Sequence, residues 1–128
     1  IQALHAIINS KEETQKTKVV VLYGSRDSTD ILGGDLLTSW AEVHPEKLEV
    51  VHVLSNEPEK SSWTGKRGFI SKELILEKFA PPSDGKEVLI MVCGPPPMYN
   101  VFCGPREAKE LTGVLNGIGY NADQVYKF

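Results

Sequence analysis

Three segments carry apolar, mostly β-branched residues with little polar alternation: KVVVLY at 18–23, LEVVHVL at 48–54 and VLIMV at 88–92. A strand with one wet face alternates apolar and polar residues, whereas a strand covered on both faces does not have to. Helical patterns separate these runs. Residues 1–9, IQALHAIIN, place Ile1, Leu4, Ile7 and Ile8 on one helical face. Asp30 is positioned to cap a helix reaching about Val43, with Leu32, Leu36, Leu37 and Trp40 facing inward. After a polar loop at 55–68, Ser71 can cap a short helix with Glu73 in its first turn and Leu74, Ile75 and Phe79 as apolar residues. Pro81-Pro82 and Asp84-Gly85 interrupt the chain before a strand at 87–92; a helix within 96–118 and a strand at 124–128 follow. Helices alternating with fully covered strands predict an α/β fold: a doubly wound parallel sheet with helices on both faces. Gly33-Gly34 lies inside the second expected helix, where each glycine costs roughly 1 kcal/mol relative to alanine, so a bend or interruption is expected there.

At 128 residues the chain is expected to form one domain burying about two-thirds of its unfolded surface. A net charge of −3, with acids and bases interspersed, presents no basic face for a polyanion and argues against nucleic acid as a partner. Neither a signal-like segment nor an apolar run of membrane-spanning length occurs, so the chain reads as a soluble domain. Cys93 and Cys103 suit neither a disulfide framework nor a paired-thiol metal site, which favours a reducing compartment. His5, His44 and His52 are scattered without ligand spacing, and no metal site is expected. The chain opens on Ile1 in what reads as mid-helix, so it is expected to be part of a longer protein.

In open parallel sheets, ligands bind beyond the carboxyl ends of the strands. That rule selects Gly24–Asp27, Ser55–Pro58, Cys93–Met98 and the C-terminal end as one candidate rim. Within it, Pro95-Pro96-Pro97 forms a stiff wall, Gly94 permits close backbone approach and one proline is free to start a helix. On residue chemistry alone, Cys93 fits two roles equally: a small buried hydrophobe, or a thiol facing whatever lies against that wall. Ser25 and Arg26 could approach a ligand or could form a turn with an exposed cation.

CGPPPM, residues 93–98, resembles the nicotinamide-side motif of the NADH-cytochrome b5 reductases and nitrate reductases, within the ferredoxin-NADP reductase superfamily. VVVLYGSRDSTDIL resembles that family's second strand and polar turn, and WTGKRGFIS its adenine-side loop with a glycine-phenylalanine pair. ELTGVLNGIGYNADQVYKF resembles the C-terminal end of the fungal enzymes. The resemblance implies that this chain is the pyridine-nucleotide half of a flavoprotein, passing a hydride from NADH to FAD on a separate barrel domain. Electrons then pass singly to a cytochrome b5-like haem protein. It implies a catalytic-site role for Cys93, which orients nicotinamide without acting as a covalent nucleophile. It also implies cofactor binding by Gly24, Ser25, Arg26, Ser55, Asn56, Phe69, Gly94, Pro95, Pro96 and Met98. Phe69 would flank adenine; its alternative is a core position.

Ser55 departs from the family pattern. NADH-selective members often carry an acid there to receive the adenosine ribose, and NADPH users resemble Ser followed by Arg; here Ser55-Asn56-Glu57 has neither signature. Without a neighbouring Arg a 2′-phosphate lacks bidentate charge-assisted bonds, so NADH is favoured, with Lys60, Lys66 and Arg67 leaving NADPH open. The family also carries, before the segment resembling Ile1–Asn9, a strand and a glycine-rich turn that holds the pyrophosphate. Its sheet order of 3-2-1-4-5 makes that strand central and expected to be missing here. The full-length protein is expected to be anchored to the endoplasmic reticulum or the mitochondrial outer membrane through a segment outside this chain. The competing class is a nucleotide-binding or structural module on the same scaffold.

Overall fold

The computed structural model describes residues 1–10 and 17–128. They form two compact units, Ile1–Ser71 and Lys72–Phe128. In the first unit, α1 (Gln2–Asn9) leads to β1 (Val19–Ser25), α2 (Gly34–Val43), β2 (Leu48–Leu54) and the two-residue β3 (Lys66–Arg67). β1 and β2 pair in parallel from Val19↔Leu48 to Ser25↔Leu54, and β2 pairs in parallel with β3. The buried residues Leu4, Ile8, Leu37 and Leu48 form a core against which Val19, Val21, Trp40, Ala41 and Val50 pack. Each fully buried leucine of this kind contributes about 1.5–3 kcal/mol relative to exposure. The apolar spacing of IQALHAIIN thus does what a helical period demands, seating Leu4 and Ile8 on the sheet.

The second helix begins later than Asp30. Asp27 caps a single 3-10 turn, Ser28–Asp30, its carboxylate accepting from the Thr29 N–H at 3.0 Å. Gly33 then adopts φ 68°, a left-handed conformation that disfavours any residue with a Cβ, and its carbonyl accepts the first helical bond from the Leu37 N–H at 3.0 Å. The paired glycines start the helix; they do not bend it. The shift turns Leu32 and Leu36 outward, at 75% and 42% exposure, and leaves Leu37 as the buried anchor.

The second unit runs α3 (Lys72–Lys78), a 3-10 segment Pro82–Glu87, β4 (Ile90–Val92), α4 (Pro96–Phe102), α5 (Gly113–Ile118), a 3-10 turn Ala122–Gln124 and β5 (Val125–Lys127). β4 and β5 pair in parallel, Ile90↔Val125 to Val92↔Lys127. The strand expected at 87–92 begins only at Ile90. The buried Gln124 amide donates to the carbonyls of Pro82 at 3.1 Å and Gly85 at 3.0 Å, and Gly85 at φ 59° breaks the backbone before the strand can start. The helix expected within 96–118 is two helices. Gly104, just past α4, and Gly113, the first residue of α5, take φ 82° and 77°, and the Thr112 N–H closes the intervening loop onto the Cys103 carbonyl at 3.3 Å. The terminal strand starts at Val125 because Asn121 and Gln124 form a reciprocal capping box around the preceding turn. All strand pairing among the described residues is parallel, as the uninterrupted apolar runs require.

Candidate functional site

In the first unit the carboxyl ends of β1 and β2 continue side by side beyond the ladder. The Ser55 N–H donates to the Ser25 carbonyl at 3.0 Å and the Asn56 N–H to the Arg26 carbonyl at 2.7 Å. Parallel register therefore brings Gly24, Ser25 and Arg26 alongside Ser55 and Asn56 at one rim. The Gly68 N–H donates to the Leu54 carbonyl at 2.8 Å, and Gly68 at φ 96° turns the chain so that Phe69 projects with 83% exposure. Phe69 is therefore not a core residue. Arg26 is exposed and lies 3.9 Å from the Asp30 carboxylate. Gly24 is exposed, and a Cβ there would make only ordinary contact, 3.7 Å from Ile70 Cδ1.

The loop after β2 carries order that residue types alone did not reveal. Glu57 accepts from the Ser28 N–H at 2.7 Å and from the Ser28 hydroxyl at 3.0 Å, one bond to each carboxylate oxygen. The Ser28 backbone bond is the main reason its carboxyl is held below the usual glutamate range. Asp27 is likewise held low, chiefly by the Thr29 hydroxyl. Arg67 donates to the Glu57 carbonyl (2.9 Å), the Pro58 carbonyl (3.2 Å), the Ser61 hydroxyl (3.3 Å) and the Trp63 carbonyl (3.1 Å). Its fork is spent on three carbonyls and one hydroxyl of the loop itself. The Trp63 indole N–H donates to the Lys66 carbonyl at 3.1 Å, and a Cβ on Gly65 would strike the indole ring at 2.6 Å. Glycine at 65 is the residue that lets the ring lie against the chain. A polar residue just past β1 facing an acid just past β2 is the one sequence signal that could have exposed the Ser28–Glu57 pair.

In the second unit β4 ends at Val92 and Cys93 is exposed with a free thiol, which excludes the buried-hydrophobe role. Cys103 is free and fully buried, and burial pushes its thiol pKa up, against a smaller lowering by Lys127. Pro95 is the N-cap residue of α4, with Pro96 and Pro97 in its first turn; the Met98 N–H returns to the Pro95 carbonyl at 3.0 Å. A Cβ on Gly94 would fall onto the Met98 thioether, so Gly94 and Met98 form one packed pair below Cys93 in sequence order. The C-terminal end meets the same strand: the Phe128 N–H donates to the Val92 carbonyl at 3.1 Å, and the Tyr99 hydroxyl donates to the Phe128 carbonyl at 2.7 Å. The Lys127 ammonium is held by the carbonyls of Pro105 (2.9 Å), Ala108 (2.9 Å) and Glu110 (3.2 Å), an arrangement the sequence did not signal.

Each unit thus joins two of the four rim segments: Gly24–Asp27 with Ser55–Pro58, and Cys93–Met98 with the C-terminal end. The first offers an exposed aromatic side chain and an ordered carboxylate. The second offers a small thiol beside a proline wall.

The family model described as the oxidoreductase NAD-binding domain matches residues 1–104. The chain is 40% identical to NADH-cytochrome b5 reductase 2 of Phaeosphaeria nodorum, over 99% of this chain and 38% of that protein. Against the protein of the same name from Saccharomyces cerevisiae the identity is 37%, over 99% of this chain and 42% of the relative. The chain therefore spans about two-fifths of the length of these curated relatives. Among solved structures, the cytochrome b5 reductase domain of Ulva prolifera nitrate reductase superposes with a TM-score of 0.76 at 22% identity, covering 99% of this chain and 44% of that one. The CS-b5R domains of human Ncb5or in the NAD+ form give 0.75 at 24%, covering 100% and 32%. At that identity the superpositions establish the fold alone, an α/β arrangement shared with those domains.

Proposed function

The chain belongs to the oxidoreductase NAD-binding domain family, and from that premise we propose that it is the NADH-binding half of a flavoprotein reductase of the cytochrome b5 reductase type. The observation that carries this reading is Cys93, exposed at the end of β4 beside Gly94 and the Pro95–Pro97 wall. Such a wall has its φ angles set in advance and loses little entropy when a ring settles against it. Taken unit by unit, the residues present suit the two halves of a dinucleotide: in the first unit the backbone at Gly24 is open to close approach and Phe69 offers an exposed aromatic face for adenine, and in the second Cys93 offers a compact side chain for nicotinamide. FAD, held by a domain outside this chain, would accept the hydride, two electrons with one proton, and release the electrons singly to a haem protein.

Within this chain the work is orientation. Pro95, Pro96 and Gly94 set the wall, Met98 packs on Gly94, and Cys93 limits where the nicotinamide ring can lie. Proximity and alignment of this kind are worth roughly 7–11 kcal/mol in well-oriented reactions. Gly24, Ser25, Arg26, Ser55, Asn56 and Phe69 would hold the adenosine half. In this reading residues 1–128 act as one NAD(P)H-binding domain, and any membrane attachment lies elsewhere in the protein; among the described residues no helix is long and apolar enough to cross a membrane. Anaerobic addition of NADH to the full-length protein tests the proposal. Bleaching of the flavin absorbance is expected, followed by recovery when oxidised cytochrome b5 is added. A flavin that stays oxidised would refute it.

A further inference from the structure

The loop after β2 contains two candidates for reading the adenosine ribose. Ser55 carries a neutral hydroxyl, which can donate or accept and so accommodates either a ribose hydroxyl or a phosphate oxygen. Glu57 carries an acceptor-only carboxylate, and its surroundings differ from those of a solvated surface acid. Ser28 donates one hydrogen bond to each of its oxygens, at 2.7 and 3.0 Å, and the Ser61 hydroxyl adds a further one; together they fix the carboxylate plane, and a carboxylate with about four lone-pair sites keeps acceptor capacity beyond them. That carboxylate lines a concavity of about 330 Å3 together with Ser28, Ser62, Trp63, Thr64 and Gly65. The lining has one indole wall, three hydroxyls and one acid, with no lysine or arginine among the described residues. The Arg67 guanidinium is engaged by four acceptors of the loop itself.

We propose that Glu57, not Ser55, is the residue of this chain that discriminates NADH from NADPH, by presenting a pre-oriented carboxylate to the 2′ position of the adenosine ribose. The proposal rests on the NADH-binding role given above and assigns the specificity of that same site. A ribose 2′-hydroxyl donates to the acceptor capacity that the Glu57 carboxylate retains. A 2′-phosphate brings two negative charges to the same place, where the carboxylate repels it, and Arg67, the loop's guanidinium, is committed to loop acceptors. Ser28 is a positioning residue: it orients the acid and makes no contact of its own that separates the two nucleotides.

The test uses the full-length, FAD-loaded protein and adenosine-half probes that need no hydride transfer. Adenosine 2′,5′-bisphosphate and AMP are measured as competitive inhibitors against NADH at low and high salt. In Glu57→Gln, which keeps the Ser28 bond to one oxygen, inhibition by the bisphosphate is expected to tighten about tenfold at low salt and less at high salt, with AMP changing by less than about threefold. Ser28→Ala, which keeps the charge and loosens its orientation, should weaken AMP binding by about twofold to threefold without admitting the bisphosphate. Ser55→Ala should leave the ratio of the two inhibition constants within about twofold. Equal bisphosphate inhibition of wild type and Glu57→Gln, or a Ser55→Ala shift as large as that of Glu57→Gln, overturns the assignment. If wild-type flavin is not reduced by NADH at all, the underlying nucleotide role fails instead, and the two failures are read from different measurements.

Discussion

Gly94→Ala isolates how tightly the nicotinamide-side corner is built. The added methyl would overlap the Met98 sulfur and lie 3.4 and 3.5 Å from Met98 Cγ and Cβ. Gly94 is not among the positive-φ glycines, so the backbone adds no strain and the whole effect is packing. Met98 is half-buried and unbranched, so it can swing its thioether aside, at about 0.5–1.5 kcal/mol for an off-rotamer angle. Overpacking without that escape costs about 1–3 kcal/mol. We therefore expect Gly94→Ala to lower the stability of the full-length protein by about 1–2 kcal/mol in urea denaturation. In a Met98→Ala background the obstructing atoms are gone, and the same substitution should be close to neutral. The double-mutant cycle should give a coupling of at least about 1 kcal/mol, above the 0.3–0.5 kcal/mol scatter of independent sites. Hydride transfer, followed by stopped flow, should fall in Gly94→Ala and recover in part when Met98 is removed. Additive costs in the two backgrounds would refute the claim that Gly94 is required by Met98.

Cys93→Ser should slow flavin reduction about tenfold or more while changing the NADH dissociation constant by less than about twofold, because the thiol aligns one ring and most contacts lie elsewhere; stopped flow separates the two. Lys127→Met removes a cation bonded to three carbonyls, and a loss of about 1.5–3 kcal/mol is expected, with faster amide exchange over residues 105–110 as the local readout. Gly33→Ala forces a Cβ into the left-handed region at φ 68°, and about 1–2 kcal/mol should be lost. The buried Cys103 thiol has its pKa raised in the folded state, so the unfolded chain releases this proton first. Its contribution to stability is full below the ordinary thiol pKa and is lost as pH rises through the folded value; Cys103→Ala should flatten that part of the alkaline stability curve.

Much of the architecture could be read from residue order. VVVLY and LEVVHVL have too few polar positions for a half-wet strand, and the helical spacing around Leu4, Ile8 and Leu37 supplies the covering layer; local hydrophobic pattern was sufficient for parallel pairing. The CGPPPM corner was also legible, because proline and glycine act on their own backbone and do so in any context. Tertiary contacts decided the rest. Whether Cys93 is buried or exposed, and whether Phe69 belongs to the core, depend on how the chain turns at Gly68 and Gly94, which residue type alone leaves open. The second helix begins at Gly34 because Asp27 captured the preceding turn, a competition between two equally good caps. The strand start moved to Ile90 because Gln124 took the carbonyls of Pro82 and Gly85, 42 and 39 residues away. Ser28 and Glu57 are 29 residues apart, and Arg67 reaches back across the loop to Glu57, Pro58, Ser61 and Trp63. Local backbone preference is a property of each residue and its neighbours, whereas hydrogen bonds between distant side chains and carbonyls exist only once the parallel register has set those atoms within about 3 Å of one another.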